Sequence, residues 1–246
     1  MQWVSFHRRI YIPGESCYTI IINFCSERKL CTMEVTDLIR KDMPESRDKL
    51  EGNREGYSFY AYLSRMRYIA RWGLMRNSCP ENIQEHSHMV AVLAHALALI
   101  AREVFGNKTV SPEKCATAAL FHDAGEIITG DMPTPVKYFS PEIREAYHKV
   151  EDVAADQLLS MLPENLRDCY DGYLRESDPE VKRFVKAADK LSAHIKCLEE
   201  LKASNHEFIL AARQTRQALD EMDMPEVRYF IENFLDSFTL TLDELK

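Results

Sequence analysis

Long apolar runs are missing from this sequence. No stretch approaches the ~18–20 residues that a membrane-spanning helix needs. The apolar segment from Cys17 to Cys25 is short and carries Thr19 and Asn23. Arg8 and Arg9 precede it, as in a signal peptide, but no small-x-small cleavage site follows, so the expectation is a cytoplasmic protein with no membrane partner. Cysteine pairs at metal or redox spacing are also absent. The seven cysteines (17, 25, 31, 79, 115, 169 and 197) form no CxxC, and their odd number and placement in helical stripes fit buried thiols in a reducing compartment. A basic stripe is lacking too, and the formal charge is −8. That argues against a nucleic-acid polymer as partner, because neutralising a phosphate backbone takes Lys and Arg gathered on one face. A small anion is not excluded, since a few local cations suffice for it. Glycine is scarce (8 of 246) and Val/Ile/Thr runs are few, beside abundant Ala, Leu, Glu and Lys, which leans to helix.

What is present divides in two. Residues 1–56 hold three cysteines, one β-like run from Tyr18 to Phe24, a polar stretch from Lys41 to Gly56, and no sustained helical period. They read either as a loosely attached, poorly structured extension or as sequence ahead of a true start at Met33 or Met43. Residues 57–246 read as helix after helix. Phe59, Leu63, Met66 and Ile69 form one stripe. Asn82 opens a second helix whose stripe is His86, Val90, Leu93, Leu97, Ile100 and Val104. Ser111-Pro112 opens a third, with Cys115, Ala118 and Ala119 leading to His122. Gly130, Pro133 and Pro135 mark a loop. Ser140-Pro141 opens a helix carrying Ile143, Tyr147, Val150 and Ala154, which ends at Pro163. Asp178-Pro179 opens a long one, with Val181, Val185, Ala188, Ser192 and Ile195. Two more span roughly 205–221 and 225–236. The fold class expected is all-α, a helical bundle with a short irregular N-terminal extension.

Ligand-type side chains sit at the ends or edges of these stripes: His86, His122-Asp123 with Glu126 beyond, and Asp189. Singly, each has an ordinary explanation. A histidine on an apolar face is usually a hydrogen-bonded core residue, and Asp189 has Lys186 and Lys190 nearby to pair with. Together, two imidazoles and two carboxylates from three helices suit a divalent ion such as Co, Mn, Fe or Mg, with positions left for water and substrate. His88 and His95 fall off the stripe of His86, and His194 is most simply structural.

The order His86, His122-Asp123, Asp189 resembles the H…HD…D signature of HD-domain phosphohydrolases. The surrounding stretches Arg71-Trp72, Glu81–Ser87, Phe121–Glu126, Thr129–Lys137, Lys186–Asp189 and Lys196–Leu201 are similar to the bacterial HD-domain 5′-deoxynucleotidases, over about Tyr57 to the C-terminus. That resemblance implies an HD-domain bundle with one divalent ion on His86, His122, Asp123 and Asp189. Glu126 lies one turn from His122 and three residues from Asp123, which puts it on their face of the helix, and the resemblance implies that it orients or deprotonates the attacking water. Arg71 would hold the phosphate with its bidentate fork, and Trp72 and Asp131 would contact the sugar. The stiff segment Asp131, Met132, Pro133, Thr134 to Lys137 would line the substrate, with Lys137 either a second phosphate contact or a solvated lysine; Asp123 and Asp189 would touch substrate as well as metal. The implied partner is a deoxyribonucleoside 5′-monophosphate, and the implied assembly a homodimer. Tyr229, Phe230, Phe234 and Phe238 either supply its interface or complete the monomer core. The function expected is therefore a metal-dependent 5′-deoxynucleotidase. The alternatives are another HD hydrolase, acting on a triphosphate or alarmone, and a metal-binding regulatory module without turnover.

Overall fold

The computed structural model describes residues 6–8, 20–22, 56–137 and 139–245. The chain separates into two units, Met1–Glu55 and Gly56–Lys246. In the first unit, β1 (Phe6–Arg8) and β2 (Ile20–Ile22) pair antiparallel, with Phe6 opposite Ile22 and Arg8 opposite Ile20. The β-like run beginning at Tyr18 thus contains a strand. Its remaining residues, Cys17, Cys25, Cys31 and the polar stretch up to Glu55 lie outside the described residues.

The second unit is built of helices joined by loops: α1 (Phe59–Leu63), α2 (Ile83–Glu103), α3 (Pro112–Phe121), α4 (Glu126–Thr129), α5 (Thr134–Lys137), α6 (Pro141–Ser160), α7 (Glu164–Leu174), α8 (Pro179–Lys202), α9 (Ile209–Glu221) and α10 (Pro225–Phe234). The helices start where capping chemistry places them. The Asn82 side-chain oxygen Oδ1 accepts from the amides of Gln84 and Glu85, and the hydroxyls of Ser111 and Ser140 and the Asp178 carboxylate cap α3, α6 and α8, each of these three followed by proline at the first helical position. Among the described residues no helix is long and apolar enough to cross a membrane.

The largest core lies where α2 packs against α3 and α8, with α10 closing one side. Val90, Leu93, Leu97, Phe184, Leu191 and Ile195 meet there, all buried. Each such side chain contributes roughly 1.5–3 kcal/mol by leaving water, which makes this the rigid frame on which the polar site hangs. Phe230 joins that core, and Tyr229 and Phe238 pack against it, while Phe234 stays half exposed. Three of the four C-terminal aromatics therefore complete the monomer.

The structure departs from the sequence reading at several points. The first helix stops at Leu63 and tightens into a 3-10 turn over Ser64–Tyr68, although Phe59 and Met66 still reach the interior. Helix α7 was hidden because its polar residues outnumber its inner ones; Leu166, Tyr170 and Leu174 cover a small core around Phe59, Leu158 and Leu162. On α6 the buried face runs through Tyr147, Ala154, Ala155 and Leu158, leaving Ile143 and Val150 exposed. Val104 is also exposed, at the end of α2. Cys115 and Cys197 are buried thiols as read, but Cys79 and Cys169 are exposed, one in the loop before α2 and one on the outer face of α7.

Candidate metal centre and nucleotide site

The bundle brings three chain-distant segments to one point. His86 comes from the first turn of α2 and Asp189 from the middle of α8, and the pair meet with Nε2 and Oδ1 3.0 Å apart. His122 and Asp123 follow α3 directly. That helix ends at Phe121, so Glu126 does not continue it, contrary to the shared helical face expected. His122 Nδ1 takes the Ala119 carbonyl at 2.7 Å, the next amides pair three residues back, and α4 begins afresh at Glu126. Among the described residues one group of His, Cys, Asp and Glu atoms gathers closely enough to hold a cation: His86, His122 and Asp189, within 4.8 Å of one another. Asp123 stands against it, with Oδ2 3.2 Å from His122 Nε2 and 3.6 Å from His86 Nε2.

The donor set fits a divalent ion. A carbonyl only accepts, so His122 must donate from Nδ1 to Ala119, which turns its Nε2 lone pair into the cluster when the ring is neutral. That Nε2 is buried and makes no aligned hydrogen bond; Asp123 Oδ2 lies 3.2 Å from it. His86 is backed by Ser192 Oγ, 3.3 Å from Nδ1, a hydroxyl able to accept from that nitrogen when Nε2 faces the cluster with its lone pair. Asp189 pairs with His86 rather than with Lys186 or Lys190. Without a metal, burial works against the charge of His122, but Asp123 and Asp189 outweigh it and push its pKa up to about 9. Burial likewise opposes the charge of Asp189, and the hydrogen bond and charge of His86 hold its carboxyl well below the usual range.

Two cavities flank the cluster and share Asp189. One, of about 630 Å³, is lined by Arg71, Trp72, Asp131, Met132, Pro133 and Thr134, with Lys190 behind. The other, of about 600 Å³, is lined by His122, Asp123, Glu126, Tyr147 and Lys186 among others. Arg71 reaches from the first to the cluster, with Nη1 3.2 Å from Asp123 Oδ2. Trp72 has φ +61, a left-handed backbone that costs a bulky residue about 1–3 kcal/mol and persists only where surroundings enforce it. Its ring packs on Phe208 at 5.2 Å.

A family model for the YfbR-like 5′-deoxynucleotidases matches residues 58–238. The chain belongs to this family. A 5′-deoxynucleotidase of Vibrio parahaemolyticus is 49% identical over 189 residues, covering 76% of this chain and 97% of that protein. The 5′-deoxynucleotidase YfbR of Escherichia coli is 48% identical over 190 residues, covering 76% and 94%. Among solved structures, an HD-domain phosphohydrolase of Listeria innocua shares the fold with a TM-score of 0.64 at 24% identity, over 74% of this chain and 88% of that one. The cyanophage S-2L HD phosphohydrolase, solved with dA and one catalytic Zn²⁺ ion, aligns at a TM-score of 0.50 and 23% identity, over 72% and 96%.

Within this 5′-deoxynucleotidase framework the structure gathers most of the residues singled out above and separates one. Arg71, Trp72 and Asp131–Thr134 share a cavity with Asp189. Lys137 lines neither cavity; its ammonium lies 2.7 Å from Glu151 Oε1 and 4.5 Å above the Tyr147 ring. Glu126 reaches the other cavity with Oε2 buried and unpartnered. Burial, then the charges of Asp123 and Asp131, push its pKa up to about 9 in the absence of a cation. His194 bonds Thr215 Oγ1 at 2.9 Å inside the fold. The sequence reading attached no role to Ser192 and the Ala119 carbonyl, which orient the two imidazoles. Ser192 stands one turn beyond Ala188 and is the one polar residue of the stripe Val181, Val185, Ala188, Ser192 and Ile195, which was the available signal.

Proposed function

We propose that this chain hydrolyses deoxyribonucleoside 5′-monophosphates to deoxynucleoside and phosphate. A divalent cation would be held by His86, His122, Asp123 and Asp189. The observation that carries the reading is the buried Nε2 of His122, which makes no aligned hydrogen bond and is turned towards the Asp123 and Asp189 carboxylates between two cavities. Bound there, a divalent ion supplies a Lewis acid and lowers the pKa of water towards neutrality.

The chain's own residues do the rest. Arg71 presents the guanidinium edge that Glu81 and Asp123 leave open to a phosphate oxygen; no acceptor among the described residues meets its Nη2. Burial opposes the Arg71 charge, yet Asp123, Asp189, Glu81 and Asp131 hold it firmly protonated. Glu126 accepts the proton of the attacking water from the opposite cavity, so nucleophile and leaving nucleoside lie on different sides of the phosphorus, as in-line displacement needs. Trp72 stands where a ribose 2′-hydroxyl would intrude, and Asp131 accepts from the 3′-hydroxyl. The relatives that carry the name 5′-deoxynucleotidase support this substrate class. A cytoplasmic homodimer belongs to the same proposal, read by sedimentation as a species of twice the chain mass.

The test is phosphate release from dAMP and AMP by metal-stripped protein, with Mn, Co, Mg or Zn returned singly. Release from dAMP alone, and only with metal, is the expected result. Release from both substrates removes the sugar assignment of Trp72 and Asp131. No release with any metal overturns the reading in favour of a triphosphate, an alarmone or a regulatory role.

A further inference from the structure

Residues 69–72 and 81–83 run side by side ahead of α2. Ala70 bridges Asn82, the Ile83 amide donates to the Ile69 carbonyl at 3.0 Å, and the Arg71 amide donates to the Glu81 carbonyl at 2.9 Å. This pairing sets the Glu81 side chain beside two neighbours at once. A single oxygen, Oε2, accepts from Arg71 Nε at 3.2 Å and from Trp72 Nε1 at 3.0 Å. Arg71 and Glu81 are each less than a fifth exposed, so water competes weakly for these bonds. With Nε taken by Glu81 and Nη1 by Asp123, the guanidinium plane is fixed and one edge is left over. With Nε1 tied and the backbone at φ +61, the indole of Trp72 has little rotational freedom.

We propose that Glu81 is the positioning residue of this site: through one carboxylate oxygen it sets both the phosphate-facing edge of Arg71 and the sugar-facing ring of Trp72. The inference rests on the roles given to those two residues above, and it ties together two properties that the roles alone leave independent. Phosphate affinity and rejection of ribose share one anchor and are lost together. Glu81 touches neither metal nor substrate in this arrangement. Its effect on turnover comes through geometry, by holding donors in place before substrate arrives.

The experiment uses the full chain with Trp3→Phe, which leaves Trp72 as its single tryptophan. In that background Glu81→Ala and Glu81→Gln are compared with the parent. Acrylamide quenching and near-ultraviolet circular dichroism report on Trp72 with no reference to catalysis. Glu81→Ala is expected to raise quenching and flatten the indole signal. In the same preparations, with metal restored, the ratio of kcat/KM for dAMP over AMP is expected to fall on the order of tenfold, the weight of one hydrogen bond to a charged acceptor. The inhibition constant of inorganic phosphate should rise alongside. The ratio does not depend on how much protein is folded, so a merely structural Glu81 would leave it unchanged. Glu81→Gln, whose amide oxygen still accepts from both donors, is expected to recover most of the indole signal and part of the ratio. An indole signal and a substrate ratio both unmoved in Glu81→Ala overturn the proposal. So does a loss of sugar discrimination without any weakening of phosphate inhibition, because the two would then have separate anchors. A parent enzyme that does not distinguish dAMP from AMP, with Trp72 freed in Glu81→Ala, upholds the anchor and removes the sugar role instead.

Discussion

The two sides of the metal centre are built on opposite principles. On the Arg71–Trp72 side most polar groups are paired, the exceptions being the buried Asn77 Oδ1 and the open edge of Arg71. Glu81 grips both residues, and Glu200, buried in α8, accepts from the amides of Ser78 and Cys79 at 2.8 and 3.0 Å, from Lys196 Nζ at 2.5 Å and from Asn205 Nδ2 at 2.8 Å. The loop after Trp72 is thereby stapled to the core, and Lys196 also bonds the Cys79 carbonyl. On the Glu126 side the main helix breaks, a four-residue helix takes over, and a carboxyl oxygen is left buried without a partner. A binding surface gains from being held rigid, since ordering is then not a cost at the moment of binding. A proton acceptor must keep an unoccupied lone pair for the water it will meet. The satisfied side reads as recognition and the unsatisfied side as chemistry.

The sharpest way to break this comparison is Glu126→Ala. If the unpaired carboxylate is the base, phosphate release from dAMP should fall about a thousandfold. Bound metal, measured by mass spectrometry of the dialysed protein, should be retained. Thermal stability of the metal-free protein should not decline, because the side chain removed had no partner for Oε2. Unchanged turnover would reassign the base. A large fall in melting temperature would mean that Glu126 supports the fold and that the contrast between the two sides is false.

Glu200→Gln acts on the other side, through stability. Burial disfavours the Glu200 charge, but hydrogen bonds from Lys196, Asn205 and the loop amides outweigh it and hold its pKa down to about 2. Breaking a buried ion pair by neutralising one partner costs about 3 kcal/mol, which urea unfolding at neutral pH would read. The sign with pH follows from the depressed value. The stabilisation is present in full above the unfolded carboxylate pKa near 4.5 and is lost as pH falls through about 2. The gap between parent and variant should therefore narrow across that window. A gap independent of pH would show that the cost arises from packing and not from charge.

How much of this was legible in the sequence depends on whether a residue acts through its own position or through what folds against it. His86, His122, Asp123 and Asp189 stand at helix ends or edges, and the capping signals at Asn82, Ser111 and Asp178 fix those helices locally, so their convergence could be read from periodicity and resemblance. Helix α7 could not, because its few inner residues, Leu166, Tyr170 and Leu174, are separated by charge. Glu81 and Glu200 were visible only as letters in matching stretches. The task of each is to meet backbone or side-chain donors brought near by tertiary packing, Glu81 across a ten-residue loop and Glu200 across 122 residues to Ser78. The end of α3 at Phe121 was also hidden, since it follows from His122 taking its own helix's carbonyl.

Arg71→Lys sharpens the recognition side at smaller scale. Lysine keeps the charge but lacks the planar fork, so it cannot meet Glu81, Asp123 and a phosphate at once. KM for dAMP should rise about tenfold, with a smaller fall in kcat. An unaltered KM would place the phosphate elsewhere in the cavity.

The smallest expected effect belongs to Lys137, which the sequence placed between a phosphate contact and a solvated lysine. The structure puts its ammonium on Glu151 at 2.7 Å, with His148 Nδ1 on the other oxygen of that carboxylate at 2.8 Å, and over the Tyr147 ring. These partners belong to α6, which packs with the short helices α4 and α5 beside the chemical side of the site. A half-exposed pair of this kind is worth about 0.2–1 kcal/mol, and a cation over an aromatic face adds a similar amount. Lys137→Ala should therefore lower the unfolding free energy by about 1 kcal/mol and leave KM for dAMP within about twofold, since less than 0.5 kcal/mol of binding is at stake. A tenfold rise in KM at unchanged stability would instead mean that the lysine leaves Glu151 for the substrate phosphate. The contrast between a largely paired recognition side and an open chemical side would then have a cation that crosses from one to the other.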